Sequence, residues 1–165
     1  MLLQIQLPSW LYQVVQGGTT TWERWDSLIP EGTVNPGEMT SFNHYAFGSV
    51  ADWMHQVIGG IAPLEPGWRK FLIAPAPGGD STSAEIRFVS QYGEIHVEWG
   101  LELKDKNAAS PSHTLQLRAL IPLNSRASAR VPGSQETFEV GSGGFEYRGP
   151  YYHLSRLKTG RLGDL

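Results

Sequence analysis

The sequence contains no cysteine. This absence excludes disulfide bonds, a thiol nucleophile and thiolate metal ligands, and it leaves the redox compartment open. An excess of charge of one sign is also missing, since 13 basic and 16 acidic side chains give a formal net charge of −3. That balance offers no electrostatic footprint for nucleic acid or an anionic membrane, so neither partner is predicted.

Long apolar runs are missing too. No run approaches the roughly 18 residues that a membrane-spanning helix requires, so no transmembrane segment is predicted. The N-terminal stretch MLLQIQLPSWLYQVV has no basic region and no small-residue cleavage site, and we therefore expect no signal peptide. These features leave the compartment of the protein unspecified.

Tryptophan is abundant instead. The 165 residues are 40% hydrophobic, enough for a buried core in one domain or two small ones. Of six tryptophans, five lie in the first 68 positions. The two halves of the chain therefore differ in character.

The first part of the chain, residues 1–62, is predicted to be helical with long loops. Large apolar residues recur at steps of three and four across residues 40–58, which predicts a helix with Thr40 or Ser41 as its N-cap. A shorter helix is predicted over residues 20–28, and the PEGTVNPGEM segment that follows is rich in turn residues. Helices with aromatic residues on all sides cannot bury their own surfaces. We therefore expect them to belong to a larger α-helical assembly or to pack back on the second half.

From about residue 63 the hydrophobic period changes to two. Stretches such as SAEIRFVS, GEIHVEWG and TLQLRALIP alternate apolar and polar residues between Gly, Pro and Asn. This pattern predicts an antiparallel β-sandwich over residues 63–149. Residues 150–165 lose the alternation and are predicted to form a weakly ordered tail. The predicted fold class is therefore α followed by β.

The densest chemistry lies in the TWERWD segment. Glu23 is bracketed by Trp22 and Trp25, an arrangement that suits sugar handling, because pyranose rings stack on indoles and hydroxyls bond to charged groups. An indole wall can also raise the pKa of a carboxyl, as general acid or base catalysis requires. The competing interpretation, which the spacing alone favours, is an amphipathic helix with two buried tryptophans and a surface Glu–Arg pair.

A second cluster follows at the predicted start of the longer helix. Glu38, Asn43 and His44 lie at a loop-to-helix junction, where polar side chains can converge on a ligand. Glu38 alternatively complements the helix dipole, and His44 alternatively is a satisfied core histidine.

No metal site is predicted. Glu94, His96 and Glu98 point to one face of a strand, but a solvated face is the default interpretation of such a row. No other motif indicates a cofactor, and none is predicted.

The blocks PSWLYQVVQGGTTTWERWDS and NPGEMTSFNHYAFGSVADW, in this order and spacing, resemble the α-L-rhamnosidases of glycoside hydrolase family 78. The resemblance covers roughly residues 7–148. It implies the last helices of an (α/α)6-barrel catalytic domain, residues 1–62, followed by a C-terminal β-sandwich.

The resemblance also implies the inverting hydrolysis of terminal α-L-rhamnosides, with a rhamnoside or another carbohydrate as the substrate. Glu23 matches the general base that activates water, and His44 matches a residue that lines the rhamnose site. The resemblance gives no defined role to four plausible pocket neighbours, namely Trp22, Trp25, Glu38 and Asn43.

Inverting hydrolysis needs two carboxyl groups about 6.5–9.5 Å apart, and the family's acid block lies far upstream of the base. Only 22 residues precede Glu23 here, and they contain no Asp or Glu. We therefore expect a fragment that is inactive alone and whose N-terminal catalytic part is missing.

An alternative hypothesis treats the protein as a carbohydrate-binding or structural module. The sandwich would then bind sugar through exposed aromatic residues such as Trp68, Tyr92 or Tyr151. Under the fragment hypothesis, an exposed apolar patch is predicted from five aromatic residues: Trp10, Trp22, Trp25, Phe42 and Trp53.

Overall fold

The computed structural model describes residues 2, 4–37, 39–79, 81–103, 113–134 and 136–151. The chain divides into two compact units. The first unit comprises residues 1–55 and 78–80, and the second comprises residues 56–77 and 81–165. The predicted boundary after residue 62 stays a prediction.

The first unit begins with helix α1, Trp10–Val15. Ser9 caps this helix, because its backbone is extended and its hydroxyl accepts a hydrogen bond from the Tyr12 amide at 2.9 Å. The helix buries Tyr12 and Gln13 and leaves Val14 exposed.

The predicted helix over residues 20–28 is wrong. The described chain there is extended or in turns, and it pairs with a distant segment: the Glu23 amide donates to the Ser41 carbonyl, and the His44 amide donates to the Thr21 carbonyl, both at 2.8 Å. These long-range bonds satisfy the backbone that a helix would have satisfied locally, so tertiary pairing overrides the local pattern.

The PEGTVNPGEM turns are confirmed over the described residues. An isolated bridge joins Leu28 and Val34, and the Gly32 amide donates to the Ile29 carbonyl at 2.9 Å. Gly32 has a φ of +78°, a left-handed conformation that favours glycine. Residues 28–34 therefore form a small hairpin.

The predicted helix over residues 40–58 is present but shorter. It starts as a 3₁₀ helix, Tyr45–Ser49, continues as α2, Val50–Trp53, and ends as a π-helical turn, Met54–Ile58. The start moves to Tyr45 because the residues before it are engaged in the pairing with residues 21–23, so neither Thr40 nor Ser41 is the cap. His44 caps it instead.

The predicted apolar patch is wrong in composition. Trp22 is 3% exposed, Trp10, Trp25 and Phe42 are half-buried, and Trp53 alone of the five aromatic residues is exposed. Packing inside the first unit therefore buries most of the surface of Trp10, Trp22 and Trp25.

The second unit contains eight described strands. They are β1 Ile61–Pro63, β2 Lys70–Ile73, β3 Ser83–Ser90, β4 Gly93–Leu103, β5 His113–Ile121, β6 Arg126–Arg130, β7 Thr137–Val140 and β8 Gly143–Tyr151. A 3₁₀ turn, Pro66–Trp68, separates the first two.

These strands form two four-stranded sheets, in the orders β1-β2-β6-β7 and β3-β4-β5-β8. The pair β2–β6 is parallel, and the other pairs between described strands are antiparallel. The predicted fold class, helices followed by an antiparallel β-sandwich, is confirmed, although the β2–β6 pair departs from the antiparallel prediction. The predicted tail meets the structure only at residues 150–151, which end β8; residues 152–165 lie outside the described residues.

Side chains from both sheets form one core. Along β4, Ile95, Val97 and Trp99 are buried while the residues between them face outwards, as the two-residue period predicts. The Trp99 indole N–H donates to the Ile58 carbonyl at 2.8 Å, so this ring contributes both apolar area and a buried hydrogen bond.

Candidate functional site

Two extended segments of the first unit, one carrying Glu23 and the other carrying His44, lie side by side. Because the Glu23 and His44 amides bond to the carbonyls of Ser41 and Thr21, residues 21–23 lie antiparallel beside residues 41–44. The general-base candidate and the candidate rhamnose-binding histidine therefore lie on neighbouring stretches of chain. The sequence placed both clusters but did not predict this pairing.

Glu23 is held by Ser41 through two hydrogen bonds of opposite direction. The Glu23 amide donates to the Ser41 carbonyl, and the Glu23 carboxylate accepts through Oε2 from the Ser41 amide, both at 2.8 Å. The residue is half-buried. Its carboxylate therefore has a fixed orientation, although it lies in neither a helix nor a strand.

The two indoles beside Glu23 pack differently. Trp22 is 3% exposed and meets Phe42 edge to face at a centroid distance of 5.3 Å. Trp25 stacks on Phe47 at 5.2 Å, with an interplanar angle of 4°, and meets Trp10 edge to face, also at 5.2 Å. The interpretation of buried tryptophans holds for Trp22, but the helix on which it rested is absent.

A cleft of about 480 Å³ opens beside Glu23. Leu7, Pro8 and Phe47 provide apolar wall, and Trp25 lines it too. The polar part of the lining comes from three charged residues: Glu23, Arg24 and Asp26. A cleft with an aromatic wall and a polar edge is suited to a sugar ring.

Asp26 is engaged by two partners. It accepts from Arg24 through both carboxylate oxygens, Nε to Oδ1 at 3.0 Å and Nη2 to Oδ2 at 2.9 Å, and Oδ2 also accepts from Asn35 Nδ2 at 2.9 Å. The hydrogen bond from Arg24 holds the pKa of the Asp26 carboxyl below its usual value, against the opposing effect of burial. Asp26 is therefore an ionised structural partner of Arg24.

The second predicted cluster is only partly described. His44 is half-buried, and its Nδ1 accepts from the Ala46 amide at 3.3 Å while its ring stacks on Tyr45 at 5.7 Å. Asn43 is exposed, and its amide donates to Ser41 Oγ at 3.1 Å. Glu38 lies outside the described residues.

Sequence reasoning missed the roles of Ser41 and Asn35. The sequence pattern indicates only a helix cap at Ser41, and its bonds to Glu23 span 18 positions, so no local signal predicts them. The Asn35-Pro36-Gly37 turn was a visible signal, since asparagine often accepts from the amide two residues on. That bond is present, from the Gly37 amide to Asn35 Oδ1 at 2.9 Å.

The polar residues on β4 contact side chains of the neighbouring strands. His96 Nε2 lies 2.9 Å from Glu85 Oε1, and Arg118 Nη1 lies 3.2 Å from Glu98 Oε1. Hydrogen bonds from Arg87 are the main reason that the pKa of Glu85 lies below its usual value. Among the described residues, no group of three His, Cys, Asp or Glu side chains could hold a metal ion.

The aromatic residues proposed for a binding sandwich are not an exposed platform. Tyr151 is 7% exposed and its hydroxyl donates to the Pro77 carbonyl at 3.1 Å. Trp68 is half-buried and packs on Phe88 at 4.3 Å, and Tyr92 is half-buried. Tyr151 is therefore not the exposed aromatic residue that the hypothesis expected, whereas the carbohydrate-binding or structural module stays a prediction. Within the parts of the chain that the structure describes, no helix is long and apolar enough to cross a membrane.

Comparison with known proteins gives matches along most of the chain. Residues 1–58 match the family model of the bacterial alpha-L-rhamnosidase 6 hairpin glycosidase domain, and residues 60–146 match that of the bacterial alpha-L-rhamnosidase C-terminal domain. The curated alpha-L-rhamnosidase of Streptomyces avermitilis is 38% identical, and the match covers 89% of this chain and 15% of that protein.

Two crystal structures are similar over 90% of this chain. The native alpha-L-rhamnosidase of Aspergillus terreus has 50% sequence identity and a TM-score of 0.80, with 16% of its chain covered. The Streptomyces avermitilis alpha-L-rhamnosidase complexed with L-rhamnose has 36% identity and a TM-score of 0.76, with 15% covered. The chain thus spans about one sixth of the length of the proteins that it matches.

Proposed function

This chain belongs to the bacterial alpha-L-rhamnosidase family, and we propose that it supplies the general base, Glu23, of a site that hydrolyses terminal α-L-rhamnosides with inversion. The observation that carries the proposal is the fixed Glu23 carboxylate at the edge of an aromatic-walled cleft. A general base must be held within hydrogen-bond reach of the water that it deprotonates, and the Ser41 amide holds this carboxylate in one orientation.

The proposal also covers the rhamnose-binding residues. On this proposal His44 contributes its imidazole to rhamnose binding, from the segment that pairs with the one carrying Glu23. Trp25 forms part of the apolar wall, and Asn43 lies exposed at the adjoining loop. Trp22, which is buried against Phe42, and Glu38 are retained from the sequence as pocket neighbours.

The general acid comes, on this proposal, from residues outside these 165. An acid must be protonated at the working pH, whereas the Arg24 pair keeps Asp26 ionised. Asp26 is thus unsuited to the task although it lines the same cleft as Glu23. We expect the 165 residues alone to show no rhamnosidase turnover.

The test has two parts. The isolated chain is assayed with p-nitrophenyl α-L-rhamnoside, where no turnover is expected; turnover that Glu23→Gln abolishes would disprove the claim of inactivity. Glu23→Gln is then introduced into a polypeptide that joins this chain to the rest of a rhamnosidase. We expect kcat to fall by about 10²–10⁴-fold, the usual contribution of a general base.

Glu31→Gln serves as the matched control, because it removes the same charge from an exposed position of the hairpin. It is expected to leave kcat unchanged. Proton NMR of the first product formed distinguishes inversion from retention. A Glu23→Gln enzyme that keeps its kcat, or a retained anomer, would refute the proposal.

A further inference from the structure

The segment that carries Glu23 lacks regular structure but is fastened at both ends. At one end, Ser41 makes two bonds to Glu23. At the other end, the Asn35 amide donates to the Ser27 carbonyl at 3.0 Å, and Ser27 Oγ lies 2.6 Å from Thr40 Oγ1. The five residues from Glu23 to Ser27 therefore depend on these side-chain and long-range contacts for their conformation.

Asn35 is the centre of the second attachment. Its Nδ2 donates to both Asp26 Oδ2 at 2.9 Å and the Asp26 carbonyl at 3.1 Å, while its Oδ1 accepts from the Gly37 amide. Its backbone amide also donates to the Ser27 carbonyl, so Asn35 bonds to three residues, Ser27, Asp26 and Gly37. Such a fit fixes the place of the Asp26 carboxylate in the turn.

Asp26 in turn fixes Arg24, the residue next to Glu23. Both carboxylate oxygens receive guanidinium hydrogens, which is the bidentate geometry that constrains the orientation of an arginine. A Cβ at Gly37 would lie 3.4 Å from Arg24 Nη1 and 3.1 Å from Asn35 Oδ1, so the backbone at Gly37 packs closely against the side chains of Arg24 and Asn35. Hydrogen bonds thus link Asn35 to Asp26 and Asp26 to Arg24, and Arg24 follows Glu23 directly in the chain.

We propose that Asp26 and Asn35 are positioning residues for the general base: they hold the Arg24–Ser27 turn so that the Glu23 carboxylate stays on the Ser41 amide. The proposal rests on the proposed function of Glu23. A role in overall stability is a poor alternative, because the side chains of Arg24 and Asp26 are 37% and 41% exposed, and exposed ion pairs contribute little to folding. A catalytic side chain, in contrast, needs neighbouring residues that hold it in its productive orientation.

The Ser41 amide provides a readout that does not need activity. It donates to Glu23 Oε2, so its ¹H–¹⁵N signal moves when the Glu23 carboxylate takes up a proton. This pH-dependent displacement is measured in the 165-residue chain, and Glu23→Gln identifies it by abolishing it. If the turn positions Glu23, loosening the turn weakens the contact and reduces the displacement.

Two variants test the idea, each with a control. Asn35→Ala removes the attachment without changing charge, and Thr33→Ala is its control at an exposed hairpin position. Asp26→Asn removes the carboxylate, and Glu31→Gln is the control for the lost charge. We expect the Ser41 displacement to fall to about half or less in both test variants and to stay unchanged in both controls.

A displacement in Asn35→Ala and Asp26→Asn equal to that of the controls would overturn the positioning role. General loss of amide dispersion in both test variants would also overturn it, because the residues would then be structural. Failure of the proposed function gives a different result. Glu23→Gln would then retain turnover in the joined enzyme, while the Ser41 displacement would still respond to Asn35→Ala.

Discussion

Replacing Trp99 by phenylalanine tests how the second unit is held together. Trp99 is 3% exposed in the sandwich core, and its indole N–H donates to the Ile58 carbonyl at 2.8 Å. Phenylalanine keeps an aromatic ring but leaves this carbonyl without its donor, which costs about 1–3 kcal/mol for a buried polar group. The smaller ring adds about 1 kcal/mol of lost apolar contact. We therefore expect the free energy of unfolding to fall by about 2–4 kcal/mol.

Urea denaturation followed by far-UV circular dichroism measures this loss, and thermal unfolding should show a midpoint lower by roughly 5–15 °C. Tyr92→Phe is the matched control. Its ring is half-buried in the same unit, and its hydroxyl bonds to no residue that the structure describes. The control should change stability by less than about 0.5 kcal/mol. If Trp99→Phe loses no more than the control, the indole bond to Ile58 does not stabilise this unit.

The strands of the sandwich could be predicted from the sequence because the alternation of apolar and polar residues is a local pattern. Ile95, Val97 and Trp99 alternate with polar residues, and each is buried as that alternation requires. The parallel pairing of β2 with β6 could not be predicted. It joins Phe71 to Ala127 across more than fifty positions, and both lie in the same apolar core whichever direction the strands run.

In the first unit, by contrast, the local sequence pattern predicts the wrong secondary structure for residues 20–28. Trp22 and Trp25 are three residues apart, a spacing that suits one face of a helix, yet the bond between the Thr21 carbonyl and the His44 amide requires an extended chain. The prediction of Glu23 as a site residue rests on its residue type, its neighbours and the family resemblance. Its attachment to Ser41 spans 18 positions, so it could not be predicted from the sequence.

Two further substitutions test the geometry of the chain. Gly60 and Gly133 both have a positive φ, so alanine is strained at either position. At position 60 the new Cβ would also lie 2.1 Å from Pro75 N, whereas at position 133 it would lie within 4 Å of no other atom. Gly60→Ala should therefore lower the free energy of unfolding by about 2 kcal/mol or more beyond the loss in Gly133→Ala. Denaturant titration of both variants checks this, and equal losses would contradict it. The second prediction concerns acid pH. Arg24 holds the pKa of Asp26 below its usual value, so the folded state binds the proton less readily than the unfolded state. The stability from this carboxylate is therefore present above the unfolded pKa of about 4 and is lost as the pH falls further, towards the folded value. Asp26→Asn removes that stability at pH 7 but not in strong acid, where both chains carry a neutral group. Unfolding free energies from pH 7 to pH 3 should show the difference between wild type and Asp26→Asn shrinking as the pH falls, by a modest amount because the side chain is 41% exposed. A difference that stays constant over this range would show that the Arg24 pair does not shift the titration of Asp26.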